Sequence, residues 1–212
     1  MQLKIDLHVH TQYSYDALIT PEELVCYAKK RGLSGVAITD HDTTEGTTKI
    51  IGEEGFLIIP GIEVSSMDGH VVGLNVNDKI PRGLSVEETV DRIHEAGGVA
   101  VACHPIALFK GSLGRHVNAK FDAVEVINSS AFPFRYAVKR SMEIASNLRI
   151  AQVAGSDAHY APEIGYAYTV IDAEPEIPSI VNALTRGFCK PFGTAIPLRL
   201  RLKRVLLRFK KI

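Results

Sequence analysis

The sequence predicts an α/β fold built on a largely parallel sheet covered by helices, and three observations carry that expectation. Strand-like and helix-like patterns alternate along most of the 212 residues, the rhythm of consecutive strand–helix units. Val99-Ala-Val-Ala-Cys103 is apolar at every position, as a strand covered on both faces has to be. Thr20-Pro21-Glu22-Glu23 and Ser85-Val86-Glu87-Glu88 have the capping-box order. In it a hydroxyl accepts from the third helical amide and a glutamate returns the bond.

The elements follow in order along the chain. Leu3, Ile5, Leu7 and Val9 share one parity and Asp6, His8 and His10 the other. A strand therefore opens the chain, and simple alternation puts both imidazoles and the carboxylate on one face. The Thr20 cap starts a helix through Leu24, Val25 and Ala28 that stops at Gly32. Gly35-Val-Ala-Ile-Thr39 is a short buried strand leading into Asp40-His41-Asp42. Residues 56–59 and 62–64 read as strands broken by Pro60-Gly61, and 70–76 as another. Ser85 opens a helix ended by Gly97-Gly98, and the strand 99–103 runs into His104-Pro105. Next come a strand over 123–127, a helix over about 134–147 and a strand over 150–154. That last strand leads into Gly155-Ser156-Asp157-Ala158-His159. A strand over 166–171 and a short helix over 179–184, ended by Gly187, complete the body.

Composition bounds the rest. A chain of this length suits one domain large enough to bury a core. Its 46% hydrophobic and 23% charged residues are those of a soluble globular protein. No apolar run approaches the ~20 residues needed to cross a bilayer, and no charged-then-apolar leader precedes the first strand. Cys26, Cys103 and Cys189 lie far apart with no Cys-x-x-Cys pair, so a cytoplasmic protein with reduced thiols is expected. By alternation Cys103 should point away from His104 into the helix layer.

Six metal-competent residues, His10, His41, Glu63, His104, Asp157 and His159, fall at or just past the C-terminal ends of five strands. In parallel α/β architectures, barrels above all, that edge is where active sites are built. His94, inside a helix, and His116, on a loop, read as structural and exposed histidines respectively.

Taken together, His8-Val9-His10-Thr11, Thr39-Asp40-His41-Asp42, Gly61-Ile62-Glu63-Val64, His104-Pro105 and Gly155-Ser156-Asp157-Ala158-His159 resemble the PHP (polymerase and histidinol phosphatase) metallophosphoesterases. The motifs come in that family's order over residues 1 to about 195. The resemblance implies a distorted (β/α)7 barrel over residues 1–197, with two or three divalent ions (manganese, zinc or iron) at its C-terminal mouth. It assigns a first ion to His8, His10, Glu63 and Asp157. A second would be bridged by Glu63 and held by His104 and by one histidine of the preceding strand. His70 is the candidate for that histidine, although some members place it at the strand's far end, where this chain has Asn75 or Asn77. A third ion would take Asp16, His41 and His159.

The implied activity is hydrolysis of a phosphate ester of a small metabolite, nucleotide or short oligonucleotide. Divalent ions acidify water and neutralise phosphoryl charge, and no Gly-x-Ser-x-Gly or Cys-x5-Arg nucleophile motif competes with them. Asp40 is expected to orient a ligand histidine, as carboxylates do. Arg115 and Arg135, on loops after strand ends, could reach a substrate phosphate; solvated loop arginines are the other reading. The residues between His104-Pro105 and the next strand, 105–122, are a short equivalent of the insertion that nucleotide-active members carry. A non-catalytic scaffold of the same fold and a nucleic-acid-binding module are the competing readings. A degenerate scaffold would have lost several of the positions above.

Seven of the 24 basic residues and none of the 24 acidic ones lie between Arg199 and Lys211, so an acidic body carries a basic tail, 198–212. The tail alternates like a strand over 198–203, but Leu202, Val205, Leu206 and Phe209 fall at helical spacing, and a helix of about three turns is expected. Its apolar stripe should pack on the barrel with the basic face in water. Alternatively it meets nucleic acid or an anionic membrane surface.

Overall fold

The computed structural model describes residues 1–50, 54–108 and 110–211, the last two without their side chains. Its strands are β1 (Gln2–Val9), β2 (Gly35–Ile38), β3 (Leu57–Ser65), β4 (His70–Leu74), β5 (Val99–Ala102), β6 (Ala123–Asn128), β7 (Ala151–Gly155), β8 (Ala167–Asp172) and β9 (Cys189–Gly193). They form one sheet ordered β7-β6-β5-β4-β3-β2-β1-β8-β9. The sheet curls into a nearly closed barrel because the chain after β7 returns to the end of β1. There Asp157 N donates to His8 O at 2.8 Å and His10 N to Ala158 O at 2.9 Å.

The helices are α1 (Pro21–Lys30), α2 (Glu45–Lys49), α3 (Val86–Glu95), α4 (Phe134–Leu148), α5 (Ile177–Thr185) and α6 (Leu198–Lys211). Both capping boxes form: Thr20 accepts from Glu23 N and Ser85 from Glu88 N, and each glutamate returns the bond. The glycines that follow α1 and α5, Gly32 and Gly187, have φ of +70° and +72°, the left-handed turn that costs glycine least.

The sheet is less parallel than the strand–helix rhythm suggests. β1–β2, β2–β3, β5–β6 and β6–β7 are parallel, whereas β3–β4, β4–β5, β1–β8 and β8–β9 are antiparallel. The turn 66–69 between β3 and β4 is too short for a crossover, so that pair has to be a hairpin. β3 is also continuous through Pro60-Gly61. Up to Pro60 it pairs with β2, and from Gly61 it pairs with β4, so the residue without an N–H sits where the strand changes partner.

Three apolar layers hold this shape. Leu3, Ile5, Leu7, Ile59, Val101 and Val153 fill the barrel interior. Val86, Val90 and Ile93 of α3 cover β4 and β5 from outside, and Leu24, Val25 and Ala28 of α1 cover β1 and β2.

Candidate metal centre

A register shift in β1 builds the site. Between Asp6 and Val9 the pairing with β2 slips, and a bulge of that kind re-aims side chains. Leu3, Ile5 and Leu7 face the barrel interior, but Val9 joins the α1 layer outside it. His8 and His10 therefore both reach the barrel mouth, with their Nε2 atoms 3.1 Å apart. Asp6 does not share their face, contrary to the alternation. Its carboxylate instead accepts from Ser156 N at 2.8 Å and Gly165 N at 2.9 Å, tying the loop that carries Asp157 to β1. Burial raises its pKa to about 6.

Glu63 is the centre of the cluster. Its Oε2 lies 3.2, 3.0 and 3.4 Å from nitrogens of His8, His10 and His41, and its Oε1 lies 2.8 and 2.9 Å from His70 and His104. Around it, Asp157 Oδ1 is 3.5 Å from His10 Nε2 and 3.4 Å from His159 Nδ1. Asp16 Oδ2 is 3.1 Å from His159 Nε2 and 3.7 Å from His41 Nε2. The structure thus brings together all nine residues of the expected ligand set, His70 included. Asn75 instead donates to Gly97 O, away from the cluster.

This donor set suits divalent ions. Six imidazoles converge on three carboxylates, and His8 and His10 present ring nitrogens to each other that cannot both carry a proton. Among the described residues the buried Nδ1 atoms of His41 and His104 have no hydrogen-bond partner. Ligand atoms gather within 4.8 Å of one another in groups such as His8–His10–Glu63, His41–Glu63–His70 and His10–Asp16–His41–His159. Imidazole and carboxylate donors of this kind suit zinc, manganese or iron.

Among the protein groups alone, burial opposes charge throughout, and partners decide the outcome. Burial works against the His10 charge, yet hydrogen bonds from its ring to Asp157 and Glu63 hold its pKa up at about 9. Glu63 stays well below the carboxylate range despite burial because His41, His8, His10 and His104 surround it. His41 goes the other way, down to about 4, because burial and the nearby His10 charge outweigh the attraction of Glu63.

Two candidate ligands sit on strained backbone. His104 and Asp157 have φ of +30° and +54°, which costs about 1–3 kcal/mol per non-glycine residue. Surrounding bonds impose it: His104 N donates to Glu125 at 2.8 Å, and Asp157 N donates to His8 O. Gly155 is needed beside them, since a Cβ there would lie 2.4 Å from His8 Cβ.

Two expectations are corrected beside the cluster. Among the described residues the Asp40 carboxylate makes no hydrogen bond to a histidine; it accepts from Thr11 N at 2.6 Å and Thr11 Oγ1 at 2.7 Å, fixing the loop after β1. The orienting carboxylate is Glu125 of β6, 3.1 Å from His8 Nδ1. A buried acid inside the apolar run Ala123–Ile127 was the signal that could have found it. Cys103 faces the barrel interior, 3.6 Å from Glu63 Oε1, and not the helix layer.

Arg115 and Arg135 do not reach the mouth. Arg115 is exposed on a 3-10 turn, and Arg135 lies on the first turn of α4, lining a separate groove with Phe134 and Met142. His70 N donates to Gly111 O at 2.7 Å, tying down the loop that carries Lys110, and Lys110 lines the mouth where Arg115 does not. The cavity over the cluster, about 290 Å³, is lined instead by Lys110, Arg204 and Arg208. Lys110 pairs with Asp157, and Arg204 lies 3.0 Å from buried Glu163. Away from the site, His94 pairs with Asp122 at 2.9 Å on the protein's outside, and half-exposed His116 sits 3.8 Å from Asp68.

Comparison with known proteins bears on this centre. A family model described as PHP-associated matches residues 135–189. An uncharacterized protein of Methanocaldococcus jannaschii is 39% identical over 141 residues, which is 60% of this chain and 82% of that protein. The 5'-3' exoribonuclease Rnm of Salmonella typhimurium is 34% identical over 116 residues, 43% of this chain and 39% of the enzyme. Among solved structures, a Bacteroides vulgatus two-domain protein containing a predicted PHP-like metal-dependent phosphoesterase superposes with a TM-score of 0.73 at 18% identity. That match covers 92% of this chain and 65% of the other. The chain thus spans well under half of the exoribonuclease and just under two thirds of the two-domain protein.

Proposed function

This chain belongs to the PHP family, and from that premise we propose that it is a metal-dependent phosphoric ester hydrolase acting on a phosphorylated metabolite, nucleotide or short oligonucleotide. The observation that carries the proposal is the completeness of the cluster: every candidate position holds a metal-competent side chain, and the nine gather around the carboxylates of Glu63, Asp157 and Asp16. That completeness favours catalysis over a scaffold role. The relative active on RNA supports a phosphate-ester substrate.

His8, His10, Glu63 and Asp157 would hold one divalent ion. Glu63, His70 and His104 would hold a second, and Asp16, His41 and His159 a third. Bound there, such ions would supply water acidified to a pKa of about 7 and neutralise charge on the phosphoryl oxygens. The protein groups do the rest. Glu125 accepts from His8 Nδ1 and so leaves Nε2 free as a donor atom. Lys110, Arg204 and Arg208 line the cavity as cations for substrate phosphate. Among the described residues Arg208 lines it without an ion pair. The strained turns at His104 and Asp157 hold the donors in place before substrate arrives.

Elemental analysis of the purified protein, with a manganese-supplemented screen of nucleoside phosphates, sugar phosphates and short RNA, tests this reading. The expected result is two or three divalent ions per chain and turnover of one class. His10→Ala and Asp157→Ala should each lose metal and turnover together. A protein that stays metal-free and inactive after manganese loading, or full activity in either variant, would overturn it.

A further inference from the structure

α6 sits on the barrel the opposite way round from its sequence pattern. Its inward side is mixed: Arg201 donates to Ser129 O, Ser130 O and Ile196 O, Arg204 reaches Glu163, Lys203 lies over the Tyr160 ring, and Leu200 and Leu207 are half-buried beside them. Arg204 and Arg208 also line the cavity. The apolar side is left outside. Leu198, Leu202, Val205, Leu206 and Phe209 are 70, 56, 46, 64 and 74% exposed. At about 100° per residue these five positions fall in one arc roughly 100° wide.

We propose that α6 is an in-plane anchor for an anionic lipid surface, an interaction independent of the hydrolytic reading above. Charge complementarity selects the occupant. Exposed Arg199 and Lys203 border the stripe on one edge and Arg208 on the other, and no acidic residue occurs after Glu176. An apolar arc between rows of cations is the arrangement that buries in the headgroup region while its charges meet acidic lipids. A second copy pairing stripe to stripe would bring those cations against their own kind. Nucleic acid would leave the five apolar side chains against phosphate. The 14-residue helix is about 21 Å long, short of the ~30 Å hydrocarbon core, so it lies along the surface. The cavity then opens beside the headgroups, because the helix that meets the lipid also lines it.

The test uses the full chain in vesicle co-sedimentation, with phosphatidylcholine alone and with about one third phosphatidylserine. Binding to the anionic vesicles is expected to be at least about tenfold stronger and to weaken with salt. Leu202→Glu with Phe209→Glu should cost at least about tenfold in partitioning while circular dichroism, melting temperature and cluster metal content stay unchanged. The chain has no tryptophan, so Phe209→Trp provides a single reporter whose emission should shift to the blue on anionic vesicles. Four results would each overturn the proposal. They are no partitioning at low salt, equal partitioning of the double variant, a dimer in light scattering that the double variant dissolves, and retention of short RNA that the double variant loses.

Discussion

Replacing Glu125 with glutamine removes one charge and almost no volume, and the surroundings of Glu125 say what that should cost. The side chain is 3% exposed. One oxygen lies 3.1 Å from His8 Nδ1, and the other accepts from His104 N at 2.8 Å and Asn128 Nδ2 at 2.9 Å. A glutamine has an acceptor for only one of these sides. With its oxygen on His104 and Asn128, its NH2 faces His8 Nδ1, and His8 would have to move its proton to Nε2, the nitrogen turned toward Glu63 and His10. With the amide reversed, two donors face the NH2. Either way one charge-assisted bond is lost in a buried site, about 1.5–3 kcal/mol. A carboxylate supporting a ligand histidine typically contributes a factor of about 10–100 in metal affinity. Glu125→Gln should therefore weaken divalent-ion binding by one to two orders of magnitude, measured by competition with a chromophoric chelator, with melting curves confirming the fold. Affinity within about twofold of the parent would refute the reasoning that Glu125 sets the His8 tautomer.

Two further outcomes are expected. In Gly46→Ala the new Cβ would lie 2.2 Å from Asp40 Oδ2 and 2.9 Å from Thr11 Oγ1, displacing the carboxylate that holds the loop after β1. A loss of about 1–3 kcal/mol is expected, lowering the melting temperature by several degrees, and an unchanged melting temperature would contradict that packing. Burial pushes the Cys189 thiol up to about 11, burial with nearby Glu63, Glu125 and Asp157 raises the Cys103 thiol well above the usual thiol range, and Cys26 is exposed. A thiol pKa raised in the fold means less thiolate below it, roughly 0.1% for Cys189 at pH 8, rising about tenfold per pH unit. Maleimide should therefore label one thiol quickly at pH 8 and three after denaturation; fast labelling of two in the native protein would count against this burial.

What was legible in the sequence is what local physics sets. Capping boxes, positive-φ glycines and strand parity act within a few residues, so the starts of α1 and α3 and the strand-end positions of His41, Glu63, His104 and Asp157 could be read directly, whereas the short α2, with no side-chain cap, was not. The resemblance grouped them, and the structure brings their side chains together. The slip in β1 was not legible, because it arises from pairing with β2, and it reverses the face Asp6 occupies relative to His8 and His10. Nor were Glu125 and Lys110 in their roles: an acid in an apolar strand and a lysine in a loop acquire function only from what lies across the barrel.

The orientation of α6 was decided furthest from sequence. Its periodicity specifies two faces, but periodicity alone makes the apolar face the one to bury. The fold selects the other, because Ser129, Ser130 and Ile196 offer carbonyls and Glu163 a buried carboxylate where the helix lands. A buried acid needs its cation more than a leucine stripe needs cover. Local sequence alone set which metal-competent residues lie at strand ends and where α1 and α3 begin. The tertiary structure decided which carboxylate supports a histidine, which cations line the cavity and which face of the last helix is left to the outside.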